Sequence, residues 1–235
     1  MKRSIVGVSL AQRAYTEIRD SILSGQLALG TPLSRRALAQ DLGMSVVPVS
    51  DALQRLESEG LVESWPRVGT RVRIPTPQDI RGHYVVREAL ESQSARLFAQ
   101  KSTPEERAEI QTMARTLDEQ YERASQSPLS SEINFDLHRL HQDFHMRVAE
   151  CSGHPALSKA IERNQILTFN WLYDTATHRN SFPPDHHSRL AHAISEGDPE
   201  KADAAMREHV IYGREELLRT FQQLYTADGR RYAVR

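Results

Sequence analysis

Cysteine and long apolar segments are scarce in this sequence of 235 residues. The single cysteine, Cys151, excludes an internal disulfide bond and is typical of proteins kept in a reducing compartment. No segment approaches the roughly 18 consecutive apolar residues that a membrane-spanning helix needs. The first residues, MKRSIV, are not followed by a long apolar stretch, so we expect no export signal and a cytoplasmic protein.

Charge is nearly balanced over the whole chain, with a formal net charge of −1, but it is unevenly distributed. Residues 1–75 contain ten Lys or Arg and seven Asp or Glu, a net charge of +3, which leaves −4 on the remainder. A mildly basic N-terminal part is compatible with a surface that contacts the phosphates of a nucleic acid. Because +3 is within ordinary variation, this asymmetry only supports signals found elsewhere.

Residues 34–60 have the pattern of two helices joined by a tight turn. Ser34 and Ser45 stand where N-cap residues are expected, and Gly43 follows the first helix, where a left-handed backbone favours glycine. Pro48 lies in the first turn of the second helix, a position that tolerates proline. The second helix has apolar residues at helical spacing on one face, namely Val49, Leu53 and Leu56.

Two short strands are predicted after this pair of helices, over Leu61–Trp65 and Thr70–Ile74, with a hairpin turn at Pro66–Gly69. Two helices joined by a turn also occur as an ordinary hairpin in a helical core. A helix-turn-helix followed by a basic two-stranded wing is instead typical of a winged helix, a DNA-binding domain whose second helix enters the major groove. We therefore predict a winged helix-turn-helix.

The segment from about Ala14 to Val72 resembles the N-terminal domain of the GntR family of bacterial transcription regulators. The similarity runs through IRDSILSG from residue 18, LGTPLS from 29, LA at 38, LGMS from 42, PV at 48, ALQRLESEGLV from 52 and GTRV from 69. The resemblance implies that the second helix faces a DNA groove with Ser45, Val46, Val47 and Ser50. It implies further contacts to phosphates or grooves from Arg35, Arg36, Arg67, Gly69, Arg71 and Arg73.

The second helix departs from the family pattern at two positions. The usual Ser-Arg-x-Pro-Val-Arg-Glu-Ala-Leu corresponds here to SVVPVSDAL from Ser45 to Leu53, so Val46 and Ser50 replace the two arginines. Arginine makes the commonest bidentate contact to guanine, which neither valine nor serine can make. We therefore do not expect the family's usual operator, and a regulator without specific DNA binding is an open alternative.

The segment Pro75–Asp79 marks a domain boundary, because its two prolines disfavour both a helix and a central strand. We predict a DNA-binding domain over residues 1–75 and an all-helical domain over 76–235. In the all-helical domain, Asp79 is expected to cap a helix that runs to about 101, and a capping box at Thr103–Glu106 begins a second helix that runs to about 124. Two more helices are expected over about 135–151 and 155–177. The last two are joined at Gly197–Pro199, with Asp198 as N-cap of the final helix. Six such helices predict an antiparallel α-helical bundle, so the whole chain is mainly α.

Histidines are numerous, ten in all, and most of them lie after residue 137. His141 and His145 are four residues apart and so project from one face of a helix, while His187 and His209 lie on two other predicted helices. An antiparallel bundle can bring such residues to one interior point and build a metal site there. Scattered surface histidines are the alternative. Two neighbouring histidines compete as ligands, namely His138 and His186.

Residues from about Ile80 to Leu218 resemble the ligand-binding domain of the FadR-type branch of the same family, called the FCD domain. Its metal-binding members carry Asp-x-x-x-His on one helix and further histidines on two later helices. The matching segments are FH at 144, VAECSG from 148, GDPE from 197 and AAMREHVI from 204. The resemblance implies a metal bound by His145, His187 and His209, and it places His141 where the family usually has Asp.

His141 makes the predicted ligand set four neutral imidazoles, which favour Zn²⁺ or Ni²⁺ over Mg²⁺ or Ca²⁺. In the alternative, His141 does not coordinate and three ligands remain. The resemblance also places Arg87 and Glu91 near an effector pocket, where Arg87 could clamp a carboxylate; an ordinary ion pair within the helix is the alternative. His154, at the position of a family asparagine, is the third predicted effector-binding residue.

Together these features predict a ligand-responsive bacterial transcription regulator. We expect a homodimer that binds double-stranded DNA at a near-palindromic operator, with a small organic acid and the metal bound in the helical domain. A regulator for which the metal itself is the signal is the alternative. A metallohydrolase is disfavoured, because no His-Glu-x-x-His segment supplies metal ligands together with a general base. We predict neither an enzyme nor a membrane-associated protein.

Overall fold

The computed structural model of this chain describes residues 9–126, 131–164 and 182–227. The chain divides into two units, Met1–Ile74 and Pro75–Arg235. The predicted continuation of one helix over residues 165–177 lies outside the described residues. No helix within the described ranges is long and apolar enough to span a membrane.

The N-terminal unit has the predicted winged helix-turn-helix. Its described helices are α1 (Leu10–Leu23), α2 (Arg35–Asp41) and α3 (Val46–Ser58). Its strands are β1 (Pro32–Leu33), β2 (Val62–Trp65) and β3 (Gly69–Val72), which form an antiparallel sheet in the order β1-β3-β2. Strands β2 and β3 are the two predicted strands of the wing, with somewhat different ends. Strand β1, which pairs Leu33 with Thr70, was not predicted.

Local interactions at the helix ends form the turn of this unit. Ser34 caps α2, since its Oγ accepts a hydrogen bond from the backbone N–H of Ala37 at 3.3 Å. Gly43 follows α2 with a φ of 63°, in the left-handed region that favours glycine. Ser45 occupies the N-cap position of α3, but its side chain makes no capping hydrogen bond, so the prediction of a capping serine is wrong in this detail.

Helices α1 and α3 pack against each other and bury one face of each. The buried apolar residues of this unit include Ala14, Ile18 and Ile22 from α1 and Val49, Leu53 and Leu56 from α3. The three residues from α3 are those that the helical spacing predicts. Their burial fixes which side of α3 points outward, and that side carries the residues that were predicted to face a DNA groove.

The C-terminal unit is a bundle with no strand among its described residues. Its helices are α4 (Pro77–Lys101), α5 (Pro104–Gln126), α6 (Ser131–Cys151), α7 at residues 155–164, α8 (His186–Ser195) and α9 (Pro199–Ala227). Helix α4 packs along α9 and α6, and α5 packs against α6 and α8. The core includes Ile80, Tyr84, Phe98, Ile110, Leu117, Phe144, Val148, Leu190, Ile194, Met206 and Val210.

The first helix of the bundle begins earlier than predicted. Thr76, not Asp79, is the N-cap of α4, and Asp79 completes a capping box with it: Thr76 Oγ1 accepts from the Asp79 N–H at 3.1 Å, and an Asp79 carboxylate oxygen accepts from the Thr76 N–H at 2.9 Å. The reciprocal bonds of Thr103 and Glu106 at the start of α5 are present as predicted. Asp198 caps α9 and accepts from the N–H of Glu200 at 3.0 Å.

Helix α4 turns an unusual face toward the core. Arg87 and Glu91 are buried on it together with Tyr84, whereas Val85, apolar and one position away, has 60% of its surface exposed. A buried charged pair costs free energy unless each charge has a close partner. Its presence in the interior therefore points to a polar site between α4, α6 and α9.

Candidate metal centre and DNA-binding surface

Three buried imidazoles meet between α6 and α9. His141 and His145 extend from α6 and His209 from α9, and each offers a nitrogen atom within 4.8 Å of those of the other two. Nε2 of His145 lies 3.0 Å from Nε2 of His141 and 3.3 Å from Nε2 of His209. An ion with Zn–N distances of about 2.0–2.1 Å holds neighbouring ligand atoms roughly 3.0–3.4 Å apart. The spacing of these nitrogen atoms therefore fits a bound transition metal.

Two of these imidazoles have a polar partner at their other ring nitrogen, Nδ1. Nδ1 of His145 lies 2.8 Å from Oε2 of Glu91, and Nδ1 of His141 lies 3.1 Å from the hydroxyl of Tyr121. Histidines that ligate a metal usually have such a partner, which fixes the orientation of the ring and leaves the opposite nitrogen as the ligand atom. Both rings consequently present Nε2 to the shared point.

His187, the fourth predicted ligand, lies beside the other three. Its ring centroid is 4.9 Å from that of His141 and 5.3 Å from that of His209. Its Nδ1 lies 2.8 Å from Oδ1 of Asp118, and the carboxylate of Asp118 also accepts the backbone N–H groups of His187 at 3.0 Å and Ser188 at 2.9 Å. An imidazole that donates from Nδ1 offers Nε2 to a metal.

Burial favours the neutral form of two of the clustered imidazoles, His141 and His209. Desolvation, followed by the neighbouring imidazoles, lowers the pKa of His141 and of His209 well below the ordinary value. Desolvation raises the pKa of Glu91, but the charge of Arg87 and the contact with His145 outweigh it and hold that pKa below its usual range. The site thus combines two neutral nitrogen donors, His141 and His209, in the form that binds a metal, with an ionised carboxylate, Glu91, beside His145.

Arg87 pairs with Glu91 and also lines a cavity. Its Nε and Nη2 donate to the two carboxylate oxygens at 2.8 and 3.3 Å, so the predicted ion pair within the helix is formed. Arg87 is also one of the residues that line a small cavity, namely Tyr84, Arg87, His141, Phe182, His209, Val210 and Gly213. Its volume of about 10 Å³ suffices for about one water molecule. Arg87 therefore lies beside the imidazole cluster as well as in the ion pair.

Other histidines that the sequence indicates are not members of this group of three. His154 is exposed, and its Nε2 is 2.7 Å from Nζ of Lys101. Lys101 is ten residues beyond Glu91 on α4, which corresponds to about 15 Å along the helix, so His154 is remote from the cavity. His186 is buried and stacks on His209 with ring centroids 4.5 Å apart. Neither it nor His138 belongs to the group of three.

Sequence reasoning missed Asp118 and Tyr121, the partners of two candidate ligands. Both lie on α5 among many other polar and helix-forming residues, and no spacing relates them to histidines on α6 or α8. Tyr121 keeps the helical spacing of the core residues Ile110 and Leu117, a pattern that indicates burial and gives no sign of a contact with His141. Only the packing of α5 against α6 and α8 shows their role.

The residues predicted to contact DNA lie on the outer side of the winged helix. Arg35, Arg36, Ser45, Arg67 and Gly69 are exposed, Ser50 is half-buried, and Val46 and Val47 have 41% and 69% of their surface exposed. Arg71 is engaged within the wing: its Nε donates to Glu63 at 2.8 Å, and its guanidinium lies 4.4 Å from the centre of the Trp65 ring.

Individual proteins resemble the chain over most of its length. It is 29% identical over 206 residues, 83% of this chain and 84% of the relative, to a probable D-xylose utilization operon transcriptional repressor of Paenarthrobacter nicotinovorans. Its fold is similar to that of McbR/YncC of E. coli, with a TM-score of 0.68 at 23% identity over 92% of this chain and 99% of that chain. A putative GntR regulator from Rhodococcus sp. RHA1 gives a TM-score of 0.71 at 22% identity over 88% and 97%.

Two family models match the two units. The model described as bacterial regulatory proteins, gntR family, matches residues 10–72. The model described as FCD domain matches residues 83–211, more than half of the chain. The chain therefore belongs to the GntR family of bacterial transcription regulators and consists of a winged-helix DNA-binding domain followed by an FCD domain.

Proposed function

We propose that this chain is a ligand-responsive transcription regulator whose FCD domain holds a divalent transition metal as part of its effector site. His141, His145 and His209 would bind the metal, with His187 beside them as a fourth ligand. The observation that carries the proposal is the convergence of three buried Nε2 atoms at 3.0 and 3.3 Å, two of them on rings held from behind by Glu91 and Tyr121. The metal would supply a positive charge and open coordination positions for an anionic ligand.

Zn²⁺ or Ni²⁺ fits this ligand set best. All candidate ligand atoms are imidazole nitrogens, and the nearby carboxylates of Glu91 and Asp118 are turned to Nδ1 atoms of His145 and His187. Imidazole suits borderline metals, whereas Mg²⁺ and Ca²⁺ prefer oxygen ligands.

A small organic acid is the proposed effector. Its carboxylate would meet the metal on one side and the guanidinium of Arg87 on the other, because Arg87, His141 and His209 line one cavity. Glu91 already accepts from two N–H groups of Arg87, so the acid has to share or displace that contact. The cavity has to widen as well, which couples binding to a change in the packing of α4 against α9.

The proposed output is a change in DNA binding by a homodimer in the cytoplasm. Two winged helices would contact the half-sites of a near-palindromic operator about one helical turn apart, roughly 34–36 Å. The acid alters this binding only if it binds one arrangement of the dimer more tightly than the other.

A regulator that senses the metal itself is the second candidate. It is favoured by the size of the cavity, which at about 10 Å³ holds about one water molecule and no acid. Dialysis against chelator distinguishes the two, because a resident metal resists removal while a sensed metal exchanges readily.

Elemental analysis and native mass spectrometry of the purified protein test the proposal. We expect a dimer with about one transition metal per chain, and loss of that metal in His145→Ala and in His209→Ala. His192→Ala is the matched control, since the side chain of His192 on α8 is 75% exposed, and this variant should keep its metal. Metal retained in both cluster variants would overturn the site.

A further inference from the structure

We infer that α3 reads methyl-bearing bases, thymine above all, through Val46 and Val47 instead of reading guanine through arginine. The inference rests on the proposed function, because it requires α3 to lie in the major groove of an operator. It goes further in naming the base edge that the helix recognises and the residues that recognise it.

Val46 and Val47 are the first two residues of α3 and point away from the protein core. They are 41% and 69% exposed, whereas the following Pro48 and Val49 are buried. In a helix-turn-helix the N-terminal residues of the second helix contact base edges. Two exposed valines at this position therefore present apolar surface where the edges of base pairs lie, and such surface gains free energy when it is covered by another apolar group.

No guanidinium on α3 is available for guanine. Arg55 is the only Lys or Arg between Val46 and Ser58. Its Nη1 donates to Gln12 at 2.9 Å, its Nε donates to Glu59 at 3.1 Å, and its guanidinium lies 3.6 Å from the centre of the Tyr15 ring. Arg55 is thus engaged with α1 and the end of α3, on the side away from the first turn.

The polar residues next to the valines disfavour guanine further. Asp51 and Gln54 are exposed and follow Val47 by four and seven residues, so the three share one side of α3. An ionised Asp only accepts hydrogen bonds, and guanine shows only acceptors, N7 and O6, in the major groove. Thymine carries the one apolar group in that groove, its 5-methyl, and cytosine and adenine carry amino donors that suit Asp51.

The test begins by selecting binding sites for the full chain from a random double-stranded DNA library at about 0.15 M salt. The selected duplex is the probe. Fluorescence anisotropy then compares the selected duplex with one in which deoxyuridine replaces thymidine in each half-site in turn. This replacement removes only the 5-methyl group. We expect binding about fourfold weaker at one or two positions per half-site, the factor for one lost methyl contact.

Variants link that loss to particular side chains. At the position that Val47 reads, Val47→Ser should bind the thymidine and deoxyuridine duplexes equally, and Val47→Thr, which keeps one methyl group, should retain part of the difference. The control is Val85→Ala on α4, since Val85 is also exposed, at 60%, and this variant should discriminate as the unaltered protein does. Exposed positions of this kind tolerate substitution without unfolding.

The outcomes distinguish failure of thymine recognition by α3 from failure of specific operator binding. Selected sites that keep their affinity on loss of every thymine methyl, or that are read at guanine, would overturn the inference and leave the operator-binding function standing. A library from which no sequence is enriched would contradict specific DNA binding, and the inference would fall with it.

Discussion

Asp118 accepts a hydrogen bond from Nδ1 of His187 at 2.8 Å, although 69 residues separate the two in the chain. The same carboxylate accepts the backbone N–H groups of His187 and Ser188 in the first turn of α8, whose N-cap residue, Asp185, has a left-handed φ of 59° and makes no side-chain capping bond. Burial raises the pKa of Asp118, but these hydrogen bonds outweigh it and lower that pKa to about 2. The side chain of Asp118 on α5 therefore satisfies backbone N–H groups in the first turn of α8 and also orients His187, a candidate ligand.

Asp118→Asn should weaken metal binding while leaving the bundle folded. The amide oxygen can still accept a backbone N–H of α8, but it gives the His187 imidazole a weaker and uncharged partner. Loss of such an outer partner typically costs about 10–100-fold in metal affinity. Competition with a chromophoric chelator measures the affinity, and circular dichroism reports the fold. Glu119→Gln, an exposed neighbour on α5, is the control; equal affinities for the two variants would contradict the role of Asp118.

Glu91→Gln should destabilise the FCD domain strongly. Glu91 is shared between the guanidinium of Arg87 and the imidazole of His145, so its removal leaves a buried guanidinium without its counter-charge. Breaking a buried pair in this way costs about 3–5 kcal/mol of unfolding free energy. Urea denaturation of the metal-free protein measures it.

Two further variants show whether burial is the cause. Glu109→Gln removes the more exposed pair with Arg147 and should cost at most about 1 kcal/mol. Arg87→Met combined with Glu91→Leu replaces the buried pair by apolar groups and should be more stable than Glu91→Gln alone. A double variant no more stable than the single one would argue against an unpaired charge as the cause.

The sequence predicted elements well where signals are local. Pro48 and Gly43 locate the helix-turn-helix, and the four-residue spacing of His141 and His145 places both on one side of α6. It could not predict which distant side chains meet these histidines, because Asp118 has no pattern that distinguishes it from other polar residues of α5. The sequence also predicted His154 as an effector-binding residue, because it lies at the position of a family asparagine. The direction of this side chain, toward Lys101, depends on how two helix ends pack and has no signal in the sequence.

Helix α4 shows why the inward face of a helix was harder to predict. Val85 is apolar and yet exposed, whereas the buried face of α4 includes Tyr84, Arg87 and Glu91. Hydrophobic pattern fails here because the two charges are stable in the interior: Arg87 and Glu91 pair with each other, and His145 on α6 contacts Glu91. The ion pair of Arg87 and Glu91 was visible as an i, i+4 pair, but its burial was not.

The metal-free protein should lose stability as the pH falls from 7 toward 4, in part through His83. Burial, followed by the charge of Arg87, lowers the pKa of His83 to about 4, although Glu91 opposes this. Nδ2 of Asn164 lies 3.3 Å from Nδ1 of His83, an arrangement that suits the neutral ring. Between its unfolded pKa of about 6.5 and the native value, the unfolded chain binds a proton that the native chain does not, so acid favours unfolding.

Urea midpoints at several pH values in the presence of chelator check this dependence. The slope of unfolding free energy against pH gives the number of protons taken up on unfolding. His83→Gln should lower this number by up to one, while His192→Gln, at an exposed position, should leave it unchanged. Burial also lowers the pKa values of His141, His186 and His209, which therefore contribute in the same direction, so some slope remains in both variants. Identical slopes for His83→Gln and the unaltered chain would contradict the prediction.

His141→Asp should shift the metal preference of the site. The substitution replaces the imidazole, whose Nε2 lies 3.0 Å from Nε2 of His145, by a shorter carboxylate on the same side of α6, and it lowers the charge of the loaded site by one. Oxygen ligands suit Mn²⁺ and Mg²⁺, while imidazole suits Zn²⁺ and Ni²⁺. We expect the ratio of Mn²⁺ to Ni²⁺ affinity to rise on the order of tenfold, equivalent to about 1.4 kcal/mol.

Competitive titration of the metal-free variant with the two ions measures this ratio, and the result also decides how many ligands the site uses. Tyr121→Phe is the companion variant, because it removes only the hydroxyl 3.1 Å from Nδ1 of His141 and keeps the imidazole as a ligand. It should lower the affinity for both ions and leave their ratio unchanged. If His141→Asp also leaves the ratio unchanged, His141 does not touch the metal, and the ligands reduce to His145, His187 and His209. A shifted ratio in His141→Asp alone places residue 141 in the coordination sphere. The preference between the two ions depends on the type of ligand atom, and this variant changes the ligand atom while the other ligands stay the same.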